Sequence, residues 1–276
     1  MSSSTQPLFL INIKKILRTK APKASRKIPK FIVSLLEKII CQDQMNDFLQ
    51  KNNGAEGVDF MNNLINYLNI SYQIKGNENI PETGKFIFAS NHPLGGLDGV
   101  CLSAALGKKY DEKIKYLVND ILYFLEPVQK IFVPINKHGA QAKSGAQIIN
   151  EAFNSDNQII TFPAGLCSRK QKGKIEDLEW KKMFIIKAVE YQRDIIPVYF
   201  KAKNSSFFYR LANIRKFLGV KFNIEMLFLP SEMFKSKGKS FTIHLGEPIP
   251  WQTFDSSKTP LAWAQEIKKT VYQLEK

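Results

Sequence analysis

A histidine and an aspartate bracket a proline and two adjacent glycines in "SNHPLGGLDGV", residues 90–100. A neutral imidazole has an ordinary pKa of about 6.5 and can accept a proton at physiological pH. A carboxylate on its other nitrogen would fix the tautomer and stabilise the imidazolium that forms. His92 and Asp98 therefore have the parts of a general base. The same residues admit a structural reading, a histidine bonded to backbone in a turn with Asp98 only capping a helix, and the pair alone leaves the two readings even. A second stretch, "IITFPAGLCSRKQKGK" at 159–174, tips the balance. Here Pro163 and Gly165 shape a turn, Ser168 offers a hydroxyl, and Arg169, Lys170, Lys172 and Lys174 can meet an anionic group. Taken by itself this stretch is equally a solvated basic loop.

Both stretches leave apolar runs, which requires elements that hold them. "KFIFAS", 85–90, reads as a short strand, and 98–106 as a helix with Asp98 at its N-cap. His92 then sits in the turn at the carboxyl end of a strand, where α/β sheets bind ligands, and Gly95 and Gly96 let the chain bend back toward the imidazole. From residue 57 onward helical and strand patterns alternate. The pattern predicts helices over 57–68, 98–109, 121–131, 140–154, 180–192, 205–218, near 230–235 and over 260–275. Strands are expected near 70–75 and 86–90, then at 113–118, 132–136, 158–162, 195–201 and 240–245. This alternation predicts an α/β fold, a mixed and largely parallel sheet covered by helices, with an N-terminal helical extension. The expected division is a basic amphipathic extension over 1–56 and an α/β domain over 57–276.

The chain has 276 residues, 44% of them hydrophobic, enough to bury a core without staples. Its three cysteines, Cys41, Cys101 and Cys167, stand far apart and outside any CxxC spacing, so neither a disulfide framework nor a zinc site is expected. No apolar run approaches the ~18 residues of a membrane span. The formal charge is +15, and Lys14, Lys15, Arg18, Lys20, Lys23, Arg26, Lys27 and Lys30 all precede the first acidic residue, Glu37. Residues 28–40 have helical periodicity, with Ile28, Phe31, Ile32, Leu35, Leu36 and Ile39 on one face. Such a helix packs on its own core or, beside an acid-free basic segment, lies on an anionic membrane surface. "APKASRKIP", 21–29, is the linker candidate.

Together, "HPLGGLD" and "FPAG" resemble the lysophospholipid and glycerolipid acyltransferase superfamily, whose first motif pairs His with Asp and whose later motif reads Phe-Pro-x-Gly. The resemblance covers roughly 70–250 and includes "VPINK", 133–137, and "IIPVYF", 195–200. It implies His92 as general base, Asp98 as its partner, and Lys137, Phe162, Pro163, Gly165, Ser168 and Arg169 as substrate contacts. Two departures matter. Pro93 through Leu97 make five residues where the family places four, and Ala164 and Cys167 stand where common members carry Glu and Arg, a pair associated with glycerol phosphate. The combination, with "KNSSFFYRLANIR" after the proline strand, looks more like the branch that acylates lyso-aminolipids.

The resemblance thus implies an O-acyltransferase moving a fatty acyl group from an acyl thioester, on acyl carrier protein or coenzyme A, to a lysolipid hydroxyl. Backbone N–H groups of a glycine turn are expected to stabilise the oxyanion. No cofactor or metal is expected beyond the thioester co-substrate, and the expected place is the cytoplasm, peripheral on the inner face of the cell membrane. Acylation of 1-acylglycerol-3-phosphate is the alternative acceptor reading. Cys167 as a thiol nucleophile activated by His92 is a rival mechanism. From another class, the basic charge and "SSFFYRLANIRKF", 205–217, would suit a nucleic-acid-binding module, although those aromatics fall at helical spacing and no nucleic-acid partner is expected. His138 and His244 have no carboxylate or metal partner at a useful spacing and are read as structural or solvent-facing.

Overall fold

A computed structural model describes residues 8–20, 22, 28–119, 125–135 and 141–275. The chain divides into two compact units, one of 1–55 with 205–237, the other of 56–204 with 238–276. The sequence reading assigned 205–237 to the α/β domain; in the structure this segment groups with the N-terminal residues.

The first unit opens with α1 (Ile13–Lys20) and α2 (Lys30–Ile39), followed by α3 (Gln42–Lys51). The expected apolar face of α2 is not its buried one: Phe31, Ile32 and Leu35 are exposed and Leu36 and Ile39 half-buried, while the buried residue, Val33, lies outside the expected face. Helix α3 was not foreseen, because "QDQMNDFLQK" is mostly polar and its buried pair, Phe48 and Leu49, makes too small a stripe to show periodicity.

The second unit starts with α4 (Gly57–Tyr67), then β1 (Ser71–Lys75), β2 (Phe86–Ser90), α5 (Leu97–Lys109), β3 (Ile114–Val118) and β4 (Phe132–Pro134). It continues through α6 (Gln141–Asn154), β5 (Gln158–Thr161), a hairpin of β6 (Arg169–Gln171) and β7 (Lys174–Glu176), α7 (Met183–Glu190) and β8 (Asp194–Lys201). The chain next enters the first unit for α8 (Ser206–Phe217) and α9 (Leu229–Phe234), and returns for β9 (Ser240–Leu245) and α10 (Pro260–Gln273).

Seven strands form one sheet in the order β1-β9-β8-β2-β5-β3-β4. Every pair is parallel except β8 with β9. The sheet is therefore mixed and largely parallel. Central β2 is buried along its whole length, as a strand covered on both faces must be, whereas edge strand β1 alternates between exposed and half-buried positions. Its neighbours are decisive for function. Strand β2 pairs in parallel with β5 through Ile87–Ile159, Phe88–Ile160 and Ala89–Thr161, and with β8 through Phe86–Asp194 to Ser90–Val198. The turns after β2 and β5 consequently leave the sheet side by side at the same edge.

Two expectations require correction. The helix expected at 121–131 is, in its described part, a 3₁₀ turn at Glu126–Val128, because Pro127 has no N–H to continue a helix; 120–124 lie outside the described residues. The polar loop after 162 contains the β6–β7 hairpin. Its two-residue turn, Lys172–Gly173, has both φ angles positive, +47° and +84°, the combination a type I′ turn requires. No helix among the described residues is long and apolar enough to cross a membrane.

Arg193 ties the sheet to α6. Its side chain is fully buried, and its guanidinium donates to the carbonyls of Phe153 at 2.6 Å and Asn157 at 2.8 Å, and to that of Ser155. These are orphan acceptors at and beyond a helix C-terminus, where a cation also complements the macrodipole. Arg193→Ala is expected to lower unfolding free energy by about 2–4 kcal/mol in urea titration, whereas a loss within ~0.5 kcal/mol would show the clamp to be redundant.

Candidate active site

His92 leaves the carboxyl end of β2 and faces Asp98 in the first turn of α5. Asp98 Oδ2 lies 3.0 Å from His92 Nδ1 and accepts the Leu94 N–H at 2.9 Å. Its Oδ1 accepts the N–H groups of Gly96 at 3.0 Å and Gly99 at 2.9 Å. The left-handed φ of Gly95, +72°, lets so short a segment fold around one carboxylate. Gly99 is fixed for another reason: a Cβ there would stand 2.4 Å from the Tyr116 hydroxyl. The Gly96 amide therefore serves the carboxylate.

The Asp98 side chain is 0% exposed and that of His92 13%. Burial alone would raise the Asp98 pKa, but the charge and hydrogen bond of His92, with the Leu94 and Gly99 amides, outweigh it and hold the carboxyl below its ordinary value. An ionised carboxylate only accepts, so the imidazole proton must sit on Nδ1. In the neutral ring Nε2 then keeps its lone pair. Because the folded pKa is depressed, Asp98 stabilises the fold above the ordinary carboxylate pKa and ceases to do so as pH falls through the depressed value.

The second motif meets the first. After β5, Phe162 lies against the imidazole with ring centroids 4.1 Å apart and the planes tilted by 32°, and Phe162 in turn lies 5.4 Å from the Tyr116 ring. The turn is closed by Gly165 N–H donating to Phe162 O at 2.9 Å, with Pro163 at its second position. Ser168 N–H donates to His92 O at 2.8 Å, so the two loops are joined through backbone.

Asp177, which the sequence reading did not single out, is the hub beneath them. Its Oδ1 accepts the Ser168 hydroxyl at 2.6 Å and the His92 amide at 3.2 Å, and its Oδ2 accepts the Trp180 indole N–H at 2.9 Å. Burial raises the Asp177 pKa, the opposite direction from Asp98, and outweighs the hydrogen bonds from Ser168 and Trp180 that lower it. Two amides complete the support. Asn91 bridges to Phe200 of β8, accepting at 2.6 Å and donating at 3.1 Å, and Asn204 donates to Pro93 O at 3.1 Å. The local sequence marks neither Asn91, between Ser90 and His92, nor Asp177, beside Glu176 and close to Glu179, and spacing does not reveal their partners.

Of the residues singled out from the sequence, His92, Asp98, Phe162, Pro163 and Ser168 are thus brought into one cluster, with Gly165 closing the turn. Ser168 is buried with its hydroxyl turned to Asp177. Arg169 is buried as well, its guanidinium donating to Cys167 O at 2.6 Å and Cys167 Sγ at 2.9 Å. Lys137 and His138 lie outside the described residues. Cys167 is fully buried and its thiol is pushed up to about 11, chiefly by burial, which keeps it protonated and disfavours a thiolate nucleophile. Among the described residues no group of three or more His, Cys, Asp or Glu side chains could hold a metal ion.

Comparison with known proteins defines the class: this is an acyltransferase. The chain belongs to the family described as Acyltransferase, whose profile matches residues 15–276. It is 55% identical over 267 residues to a lyso-glycine lipid O-acyltransferase of Bacteroides thetaiotaomicron, covering 97% of this chain and 98% of that protein. To a lyso-glycine lipid O-acyltransferase of Phocaeicola vulgatus it is 52% identical over 267 residues, covering 97% and 96% respectively. A crystal structure of a 1-acyl-sn-glycerophosphate acyltransferase from Thermotoga maritima matches with 17% identity and a TM-score of 0.49, over 94% of this chain and 86% of that one.

Removing Asp177 would strand three buried donors, each costing about 1–3 kcal/mol when unpaired. Asp177→Ala should lower stability by at least ~2 kcal/mol in urea titration and reduce turnover. Ser168→Ala removes one of those bonds, should cost about 1 kcal/mol and retain most activity; a rise in KM without loss of stability would instead make Ser168 a substrate contact.

Proposed function

We propose that the protein transfers a fatty acyl group from an acyl thioester to the hydroxyl of a lyso-glycine lipid. The observation that carries the chemistry is the His92–Asp98 contact, which leaves a basic Nε2 on a histidine at the carboxyl edge of the sheet. Nε2 takes the proton of the acceptor hydroxyl as its oxygen attacks the thioester carbonyl carbon. The Nδ1–H bond to ionised Asp98 stabilises the resulting imidazolium. Collapse of the tetrahedral adduct forms the ester, breaks the carbon–sulfur bond, and returns the proton from Nε2 to the departing thiolate. No covalent acyl-enzyme is needed, in keeping with a protonated, buried Cys167.

The acceptor follows from the two lyso-glycine lipid O-acyltransferases, which match nearly the whole chain at more than half identity. The family features associated with glycerol phosphate are replaced here by Ala164 and Cys167, which favours the aminolipid over 1-acylglycerol-3-phosphate. The donor is a thioester of acyl carrier protein or coenzyme A. For such a substrate the enzyme works as a peripheral protein on the cytoplasmic face of the membrane. Its basic N-terminal segment and the exposed Phe31, Ile32 and Leu35 of α2 support that placement.

The test is product formation by the purified protein supplied separately with lyso-glycine lipid and lysophosphatidate, each with acyl carrier protein and coenzyme A thioesters, followed by mass spectrometry. The diacylated glycine lipid is expected. Phosphatidate as the sole product would overturn the acceptor assignment. His92→Ala should reduce the rate by about 10²–10⁴ with the fold intact; wild-type turnover in that variant would remove His92 from the chemistry.

A further inference from the structure

Helix α8 ends in a turn that is apolar, protruding and firmly built. Phe217 is 90% exposed, Leu218 66% and Phe222 65%, with Ile214 behind them at 55%. So much apolar surface on one short segment marks an interaction site and not incidental exposure.

The segment is held in shape. Val220 N–H donates to Arg215 O at 3.1 Å and Gly219 N–H to Lys216 O at 3.1 Å, with Gly219 at a φ of +69°. This is a Schellman closure of the helix end. The Arg215 side chain locks it further, donating from Nε to Glu225 Oε2 at 2.8 Å and from Nη1 to the Val220 carbonyl at 2.8 Å. Glu225 is itself fully buried. An ion pair to a buried carboxylate thus braces the turn and keeps the outer residues displayed.

The charge around the tip has one sign. No acidic residue occurs between Asp194 and Glu225, and Arg210, Lys216 and Lys221 are exposed. Apolar side chains on a basic flank complement an anionic bilayer, the former entering the acyl boundary and the latter meeting headgroups. A side chain as far out as Phe217 favours a deformable lipid phase over a rigid protein face, which would need a pocket shaped to receive it.

We propose that the Phe217–Phe222 turn is a membrane-insertion tip, a bilayer contact separate in sequence from the N-terminal basic segment and selective for anionic lipid. The proposal rests on the lipid-acceptor reading in one respect, that the enzyme meets its substrate at a bilayer.

The experiment measures binding of the full chain to vesicles of phosphatidylcholine with and without phosphatidylglycerol, beside acylation of detergent-dispersed lyso-glycine lipid. The variant Phe217→Ser/Leu218→Ser/Phe222→Ser should bind anionic vesicles at least about tenfold more weakly, with activity in detergent retained. A nitrobenzoxadiazole label on Phe217→Cys should brighten and shift its emission to shorter wavelength on anionic vesicles; the three natural cysteines are buried, so the label reports the tip. Equal vesicle binding by wild type and triple variant, no binding by wild type, or an unresponsive label would overturn the proposal. So would a triple variant that converts a dimer to a monomer, or one that loses affinity for acyl carrier protein while keeping vesicle binding. Failure of wild type to acylate the lipid in detergent would count against the functional reading alone, because vesicle binding is read independently.

Discussion

A carboxylate sealed from water must be satisfied by its surroundings, and around Asp98 that requirement organises the site. Its two oxygens collect three backbone amides and one imidazole N–H. Each acceptance fixes something else: the Leu94, Gly96 and Gly99 amides set the path of the loop, and the imidazole is held in one tautomer. The absence of a side chain at Gly99 has a separate cause, because a Cβ there would stand 2.4 Å from the Tyr116 hydroxyl. A carboxylate at the start of a helix also meets the positive end of the macrodipole.

The second buried carboxyl, Asp177, does different work. Asp98 acts on the imidazole ring, whereas Asp177 acts on the backbone that carries it, accepting the His92 amide while the Ser168 amide takes the His92 carbonyl. Their pKa values move apart because their donors differ. Asp98 faces a group that can become a cation, and Asp177 is surrounded chiefly by neutral donors. The loops after β2 and β5 are adjacent because those strands pair in parallel, so sheet topology brings together motifs far apart in the sequence.

The sheet, its long helices and the His92–Asp98 contact were legible because apolar runs, glycines and a histidine–aspartate pair are local signals. Helix α3 was not, as Phe48 and Leu49 are too few to imprint a period. Nor was the hairpin, whose only marker was Gly173 within a basic run. Asp177, Asn91 and Asn204 escaped notice because their importance lies in partners distant along the chain. Ser168 and Arg169 looked like outward-facing polar groups, since composition does not say which way a side chain turns; burial placed the Ser168 hydroxyl on Asp177 and the Arg169 guanidinium on Cys167. The aromatic and basic run at 205–217 also divides between core and surface, with Phe208 and Tyr209 buried and Phe217 exposed.

The proton position on His92 is the most direct expression of this arrangement. With three histidines in the chain, nitrogen-15 NMR of imidazole-labelled protein can assign it by comparison with His92→Gln. A neutral ring protonated at Nδ1, reverting to the ordinary tautomer mixture in Asp98→Ala, is the expected result. A wild-type ring protonated at Nε2, or one indifferent to Asp98, would contradict the account.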